Sequence, residues 1–227
     1  MNSKSRSLSG AALMLVIIPI FAGLLACMPV PIGNPERSKV DPELSGLWVF
    51  HGNEGVAGVV LLEPYDKRTW IGLMVEPSVD ETKIPVEYDV STYEGLLAAL
   101  GDTTNGYSLV TADGVALFKI WLTKLGGEQF MVWEPKGFYE DGEFGADYAY
   151  NWRLRKSGDS KFELNFIDGS HPEIKDVAKD RKLLERAIRK HASDPELYDE
   201  ETFVFTRVSP SDESLLGGLI TDHVADE

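Results

Sequence analysis

From Gly46 to Val208 the chain is mostly short runs in which apolar and polar residues alternate with period 2, separated by turn residues. That pattern restricts it to mainly antiparallel neighbours, because parallel strands need crossovers of roughly a dozen residues or more. The alternation is clearest at Tyr148, Tyr150, Trp152 and Leu154, which share one face, while Asn151, Arg153 and Arg155 share the other. Beyond the turn Ser157-Gly158-Asp159, Phe162, Leu164 and Phe166 fall opposite the aromatic face. One face of the sheet is therefore aromatic and buried. Periodicity leaves open whether it packs on side chains or around a ligand.

Strands are expected at 47–50, 56–62, 69–75, 86–90, 107–111, 115–123, 129–133, 148–155, 162–167 and 203–208, with turns at Ala112-Asp113-Gly114 and Leu125-Gly126-Gly127. Two helices interrupt them. Ser91-Thr92-Tyr93-Glu94 has capping-box spacing and opens a helix near 92–100 that stops at Gly101. The other is expected near 173–192, starting around Ser170 to Glu173, with Val177, Leu184 and Ile188 at helical spacing and a cationic C-terminal half. The expected fold is mainly β with two peripheral helices, an α+β arrangement built on a barrel-like or strongly curved antiparallel sheet. A β-sandwich is the alternative. Residues 44–208 form one domain, followed by an acidic tail, 209–227, whose apolar island Leu215 to Ile220 either docks weakly or stays disordered.

The N-terminus has a different character. Lys4 and Arg6 precede an apolar run from Ala11 to Leu25, which ends in Leu24-Leu25-Ala26-Cys27. This resembles a bacterial lipoprotein signal peptide with its lipobox. The resemblance implies that residues 1–26 are removed, that Cys27 carries diacylglycerol and an acylated amine, and that the protein is lipid-anchored in the cell envelope. Met28, where aspartate would by family rule retain a lipoprotein in the inner membrane, implies the outer membrane. The competing readings are an uncleaved span and an ordinary cleaved signal; Pro19 inside the run, with Pro29, Pro31 and Pro35 after it, disfavours a long helix. Residues 27–43 are a proline-rich tether, either an extended spacer reaching up to about 40 Å or a strap ordered along the domain.

Composition removes several function classes. The chain carries 22 lysines and arginines against 37 aspartates and glutamates, a net charge of −15, so nucleic acid is an unsuitable partner. Cys27 is the only cysteine, and lipid on its sulfur leaves no disulfide, thiol nucleophile or cysteine metal cluster. The four histidines, His51, His171, His191 and His223, lack a zinc-binding spacing, and no nucleophile elbow, phosphate-cradling glycine loop or S-x-x-K is present. No metal, cofactor or catalytic residue is assigned. Glu140-Asp141-Gly142-Glu143 with Asp147 reads as a solvated acidic loop before a calcium site, and Asp168-Gly169-Ser170-His171 as a helix cap.

Gly46-Leu47-Trp48 opens the first strand, Arg207 lies in Phe203-Val204-Phe205-Thr206-Arg207, and Ala146-Asp147-Tyr148 precedes an aromatic strand. Together these resemble the lipocalin and calycin layout. That resemblance implies a barrel whose floor pairs Trp48 with Arg207; it departs from the family in the inserted Ser91 to Leu100 helix and in about ten strands where eight are expected. The leading functional expectation is a non-catalytic binding or assembly module, with an apolar or amphiphilic ligand or an envelope protein as partner. Trp121, Trp133, Tyr150 and Trp152 are the candidates to line a pocket; a filled interior with an exposed apolar patch points instead to a protein partner. The alternative is an envelope hydrolase using carboxylates on glycan or peptide bonds, which requires convergent acids of separated pKa.

Overall fold

The computed structural model describes residues 27–53, 55–79, 92–101, 110–138, 148–214 and 216. Within them, alternating side chains close a sheet on itself. A short strand β1 (Cys27–Met28) precedes β2 (Gly46–Gly52), β3 (Gly55–Pro64), β4 (Trp70–Val79), β5 (Val110–Leu125), β6 (Glu128–Phe138), β7 (Ala149–Lys156), β8 (Lys161–Ile167) and β9 (Tyr198–Arg207). Each strand from β2 to β8 pairs antiparallel with the next, and β9 returns to β2 with Trp48 opposite Arg207 and Phe50 opposite Phe205. This is a closed eight-stranded antiparallel barrel in simple sequential order, so the sandwich alternative falls. Closure leaves no free edge among these strands.

The strand boundaries correct the sequence reading in one place. Residues 107–111 and 115–123 do not form a hairpin: β5 runs through Ala112-Asp113-Gly114 without turning, and the pairing skips Asp113, with Glu76 opposite Gly114 and Pro77 opposite Ala112. The turn chemistry has been absorbed by a bulge, which bends a long strand without ending it. The strand expected at 86–90 lies outside the described residues. By contrast, Gly126 and Gly127 do make the β5–β6 turn, with φ of 60° and 93° at the two central positions of a two-residue hairpin.

Helix α1 (Tyr93–Gly101) begins where Thr92 Oγ1 accepts the N–H of Gly95, and Leu96 is buried against the barrel's outer face beside Val49, Val59 and Val75. Helix α2 (Arg181–His191) starts later than the expected 173. Asp180 Oδ1 accepts from the N–H groups of Lys182 and Leu183 and so fixes the start, while upstream His171 to Asp180 form successive turns anchored by Asp168, which accepts from Ser170. A side-chain cap at Asp180 outcompetes a longer helix whose second residue would be Pro172. Leu184 and Ile188 of α2 pack on Trp121, Phe130 and Val132 outside β5 and β6. Of the C-terminal island, Leu216 is buried with Val49, Leu96 and Val208.

Residues 29–45 are an ordered strap, not an extended spacer. Asn151, buried on the outside of β7, accepts the N–H of Ile32 at 3.1 Å and donates to the carbonyl of Val30, and Trp121 Nε1 donates to the carbonyl of Ile32 at 3.0 Å. Further along, Ser38 Oγ accepts from Leu122, Arg68 pairs with Glu36, and Lys156 pairs with Asp41 and Glu43. The prolines lower the cost of this ordering by restricting the unfolded chain. The strap crosses the barrel wall from β1, paired to Ala149 and Tyr150 at the start of β7, to the opposite end at β2.

Candidate functional site

The two ends of the barrel differ. At one end, where β2 starts and β9 finishes, Arg207 lies over the ring of Trp48, its guanidinium carbon 4.2 Å from the ring centroid. Arg207 also donates to the carbonyls of Ser45 at 2.7 Å, Asp159 at 3.1 Å and Glu43. Gly46 makes this approach possible. Its φ is 119°, and a Cβ there would sit 2.7 Å from Arg207 Nη1. Both indoles at this end are satisfied: Trp48 Nε1 donates to the carbonyl of Leu44 at 3.0 Å and Trp70 Nε1 to Ser45 Oγ at 3.1 Å. Above them Phe162 stacks on Phe205 at 4.5 Å and Phe205 on Phe50 at 5.1 Å, filling the interior. This end is a closed floor.

Towards the other end the interior stays aromatic, but its polar atoms are not matched. Trp133 and Trp152 meet edge-on at 6.0 Å, Trp152 stacks on Phe166 at 3.5 Å, and Tyr150 lies 6.1 Å from Trp152 in near-parallel orientation. Phe118 closes on Trp133 at 5.3 Å. Trp133 is 3 % exposed and Trp152 7 %, yet neither Nε1–H has a hydrogen-bond acceptor among the described residues. A buried donor left without a partner costs about 1–3 kcal/mol, so two side by side are a defect that needs a reason. Tyr148, Tyr150, Met74 and Phe203 at the rim are only half-buried, and the Tyr148 and Tyr150 hydroxyls stand 3.5 Å apart. The result is an aromatic cluster carrying two inward indole donors. It suits the apolar body of a molecule that also presents a hydrogen-bond acceptor.

Three of the four pocket candidates, Trp133, Tyr150 and Trp152, are thus brought together. Trp121 is not. It sits between inward-facing Ile120 and Leu122, so alternation turns it outward, where Ile32 of the strap and Leu184 and Ile188 of α2 cover it. The sequence conceals this, because Val115 to Leu122 is nearly continuous apolar residues where both faces of the strand are covered. Phe166 and Phe203 belong to the basin as well; the parity shared with Trp152 across the β7–β8 hairpin signals Phe166, whereas Phe203 follows only from closure. The structure describes the backbone of Cys27 in β1. Leu24, Leu25, Ala26, the acidic stretch 140–143, Asp147 and His223 lie outside the described residues.

The titrating groups lie elsewhere. Hydrogen bonds from backbone N–H groups in its turn hold Asp66 low, and the Ser209 hydroxyl does the same for Asp212. Burial lowers His51, against a weaker opposing pull from Glu94. Burial also pushes the Tyr198 hydroxyl up to about 12, and Arg153 lies over its ring at 3.6 Å. His171 and His191, distant in sequence, meet at 6.2 Å with Glu173 3.5 Å from His191 Nε2, but no group of three or more ligating side chains able to hold a metal occurs among the described residues. No family model, curated protein or solved structure matches this chain.

Proposed function

We propose that the protein is a membrane-tethered, non-catalytic binding module of the bacterial envelope, whose barrel takes part of an amphiphilic small molecule at its open end. The observation that carries this reading is the pair of buried indole N–H groups of Trp133 and Trp152, which have no partner among the described residues, within an aromatic cluster. A carboxylate, ester or amide oxygen of a ligand would complete both donors, while its apolar part would cover the half-buried rim. The filled floor makes this a basin at the mouth, shallower than a hollow lipocalin-type cavity. Lipocalin kinship is supported by the closed barrel and by the Trp48–Arg207 contact.

The envelope tether rests on the lipobox. Because the strap is ordered from Met28 onward and β1 pairs with Tyr150 near the rim, lipid on Cys27 would hold the open end next to the bilayer with almost no spacer. A ligand could then pass from membrane to basin without crossing bulk water. A protein partner has less support: the large exposed apolar residues among those described, Tyr65, Ile71, Leu117 and Leu183, are spread over a turn, two strands and a helix.

The test is a titration of the full-length protein with sodium palmitate, followed by tryptophan fluorescence and native mass spectrometry. Saturable one-to-one binding, weakened about thirtyfold or more in Trp133→Phe/Trp152→Phe, is the expected result, since two lost charged-acceptor hydrogen bonds at on the order of 1 kcal/mol or more each sum to about 2 kcal/mol or more. Absence of binding to palmitate and to its methyl ester would overturn the reading. For the tether, Cys27→Ala is expected to leave the membrane fraction; its retention there, uncleaved, would make the apolar run a span.

A further inference from the structure

Away from the open end, strap residues 33–39, the β5–β6 hairpin and α2 enclose an open groove of about 790 Å³. Its walls carry Arg37 and Lys39 from the strap, Lys124 from β5, and Arg181 and Arg189 from α2, with Glu185 the one carboxylate among the lining residues. Glu185 is already engaged: its Oε1 accepts from the Gly33 N–H and from Arg181 Nε, both at 3.0 Å. Arg37, Lys39, Lys124 and Arg189 form no ion pair with any described carboxylate.

That arrangement runs against the composition. In a chain with 37 acidic and 22 basic residues the groove inverts the balance: five cations line it against one carboxylate that is already engaged, so like charges gather there. Such a local conflict, uncompensated within the fold, is expected at a binding site. Arg181, Glu185 and Arg189 stand four residues apart on one stripe of α2, so its two arginines are separated by about 12 Å along the axis. The guanidinium fork matches phosphate oxygens in pairs, and lysine supplies a flexible point charge beside it. We infer that this groove binds an elongated anion carrying two or more phosphate groups, either free in solution or as the headgroup of a lipid. The inference is independent of the basin at the barrel mouth.

The experiment is calorimetry on the full-length chain in dodecyl maltoside micelles, with sodium tripolyphosphate as the free anion and dioctanoylglycerol pyrophosphate, which carries two phosphate groups, as the headgroup probe, at low and at raised salt. The groove variant is Arg37→Gln/Lys39→Gln/Lys124→Gln/Arg189→Gln. A control with the same charge change elsewhere is Lys161→Gln/Lys175→Gln/Lys179→Gln/Lys182→Gln. Binding that falls at least tenfold in the groove variant, less than twofold in the control, and weakens with salt supports the inference. Tripolyphosphate binding then marks a free anion as the source, and binding of dioctanoylglycerol pyrophosphate alone marks a headgroup. Lys124→Gln by itself, which leaves the other four cations of the groove in place, is expected to weaken binding two- to fivefold and guards against misfolding of the fourfold variant. No binding of either probe at low salt, or equal loss in groove and control variants, overturns it.

Discussion

The two ends of the barrel are built from the same residue types to opposite effect. At the floor, Trp48 and Trp70 each find an acceptor, Arg207 caps the indole of Trp48, and the strap closes the opening. At the mouth, Trp133 and Trp152 are also buried but have no acceptor among the described residues, and tyrosines stand half-exposed around them. Aromatic content alone therefore says little about binding; what separates plug from basin is whether the indole donors are satisfied within the chain. The outward Trp121, bonded to the Ile32 carbonyl, falls with the floor on this criterion.

The comparison can be broken by substitution. Truncating Trp48→Ala removes a fully buried indole and the platform for Arg207, and is expected to cost about 3–5 kcal/mol in a denaturant titration of the folded chain. Arg207→Ala keeps the indole but strips the donors to Ser45, Asp159 and Glu43, with an expected loss of about 2 kcal/mol by the same measurement. Replacing tryptophan by phenylalanine sharpens the contrast, since it deletes the N–H and keeps most of the ring. Trp70→Phe should destabilise by about 1 kcal/mol because Ser45 Oγ loses its partner, whereas Trp133→Phe and Trp152→Phe should be neutral or stabilising by up to about 1 kcal/mol. If Trp133→Phe and Trp152→Phe lose as much stability as Trp70→Phe, the mouth donors are satisfied in solution and the distinction fails.

A smaller effect concerns pH. Burial raises the Tyr198 hydroxyl from its ordinary value near 10 to about 12, and the hydroxyl donates to the Ala192 carbonyl at 2.6 Å. Because the folded pKa exceeds the unfolded one, this stabilisation is fully present below pH 10 and is lost as pH rises towards 12. Tyr198→Phe should flatten that alkaline decline in melting temperature while leaving the neutral range little changed, apart from the lost hydrogen bond.

Much of this architecture is legible in local sequence. The β7–β8 hairpin follows from strict alternation on both sides of a glycine turn, and the β5–β6 turn from adjacent glycines. Closure of β9 on β2 is harder, because it joins residues roughly 150 positions apart and only the motif around Trp48 together with Arg207 hints at it. Trp121 was hidden by the apolar character of both faces of β5, and the start of α2 by a cap at Asp180 that competes with an equally plausible one upstream. The bulge at Asp113 uses the same residues as a turn, and only the register against β4 separates the two. Least legible is the basin itself: Trp133 and Trp152 can be placed on an inward face, but a missing acceptor depends on every neighbour in the closed barrel.

The most direct test of that basin is an NMR titration of the uniformly 15N-labelled chain with sodium palmitate, observing the five indole Nε1–H resonances. The account predicts that the resonances of Trp133 and Trp152, assigned by Trp133→Phe and Trp152→Phe, move downfield as an acceptor reaches them, while those of Trp48, Trp70 and Trp121 hold still. Five stationary indoles, or a shift shared equally by all five, would contradict it.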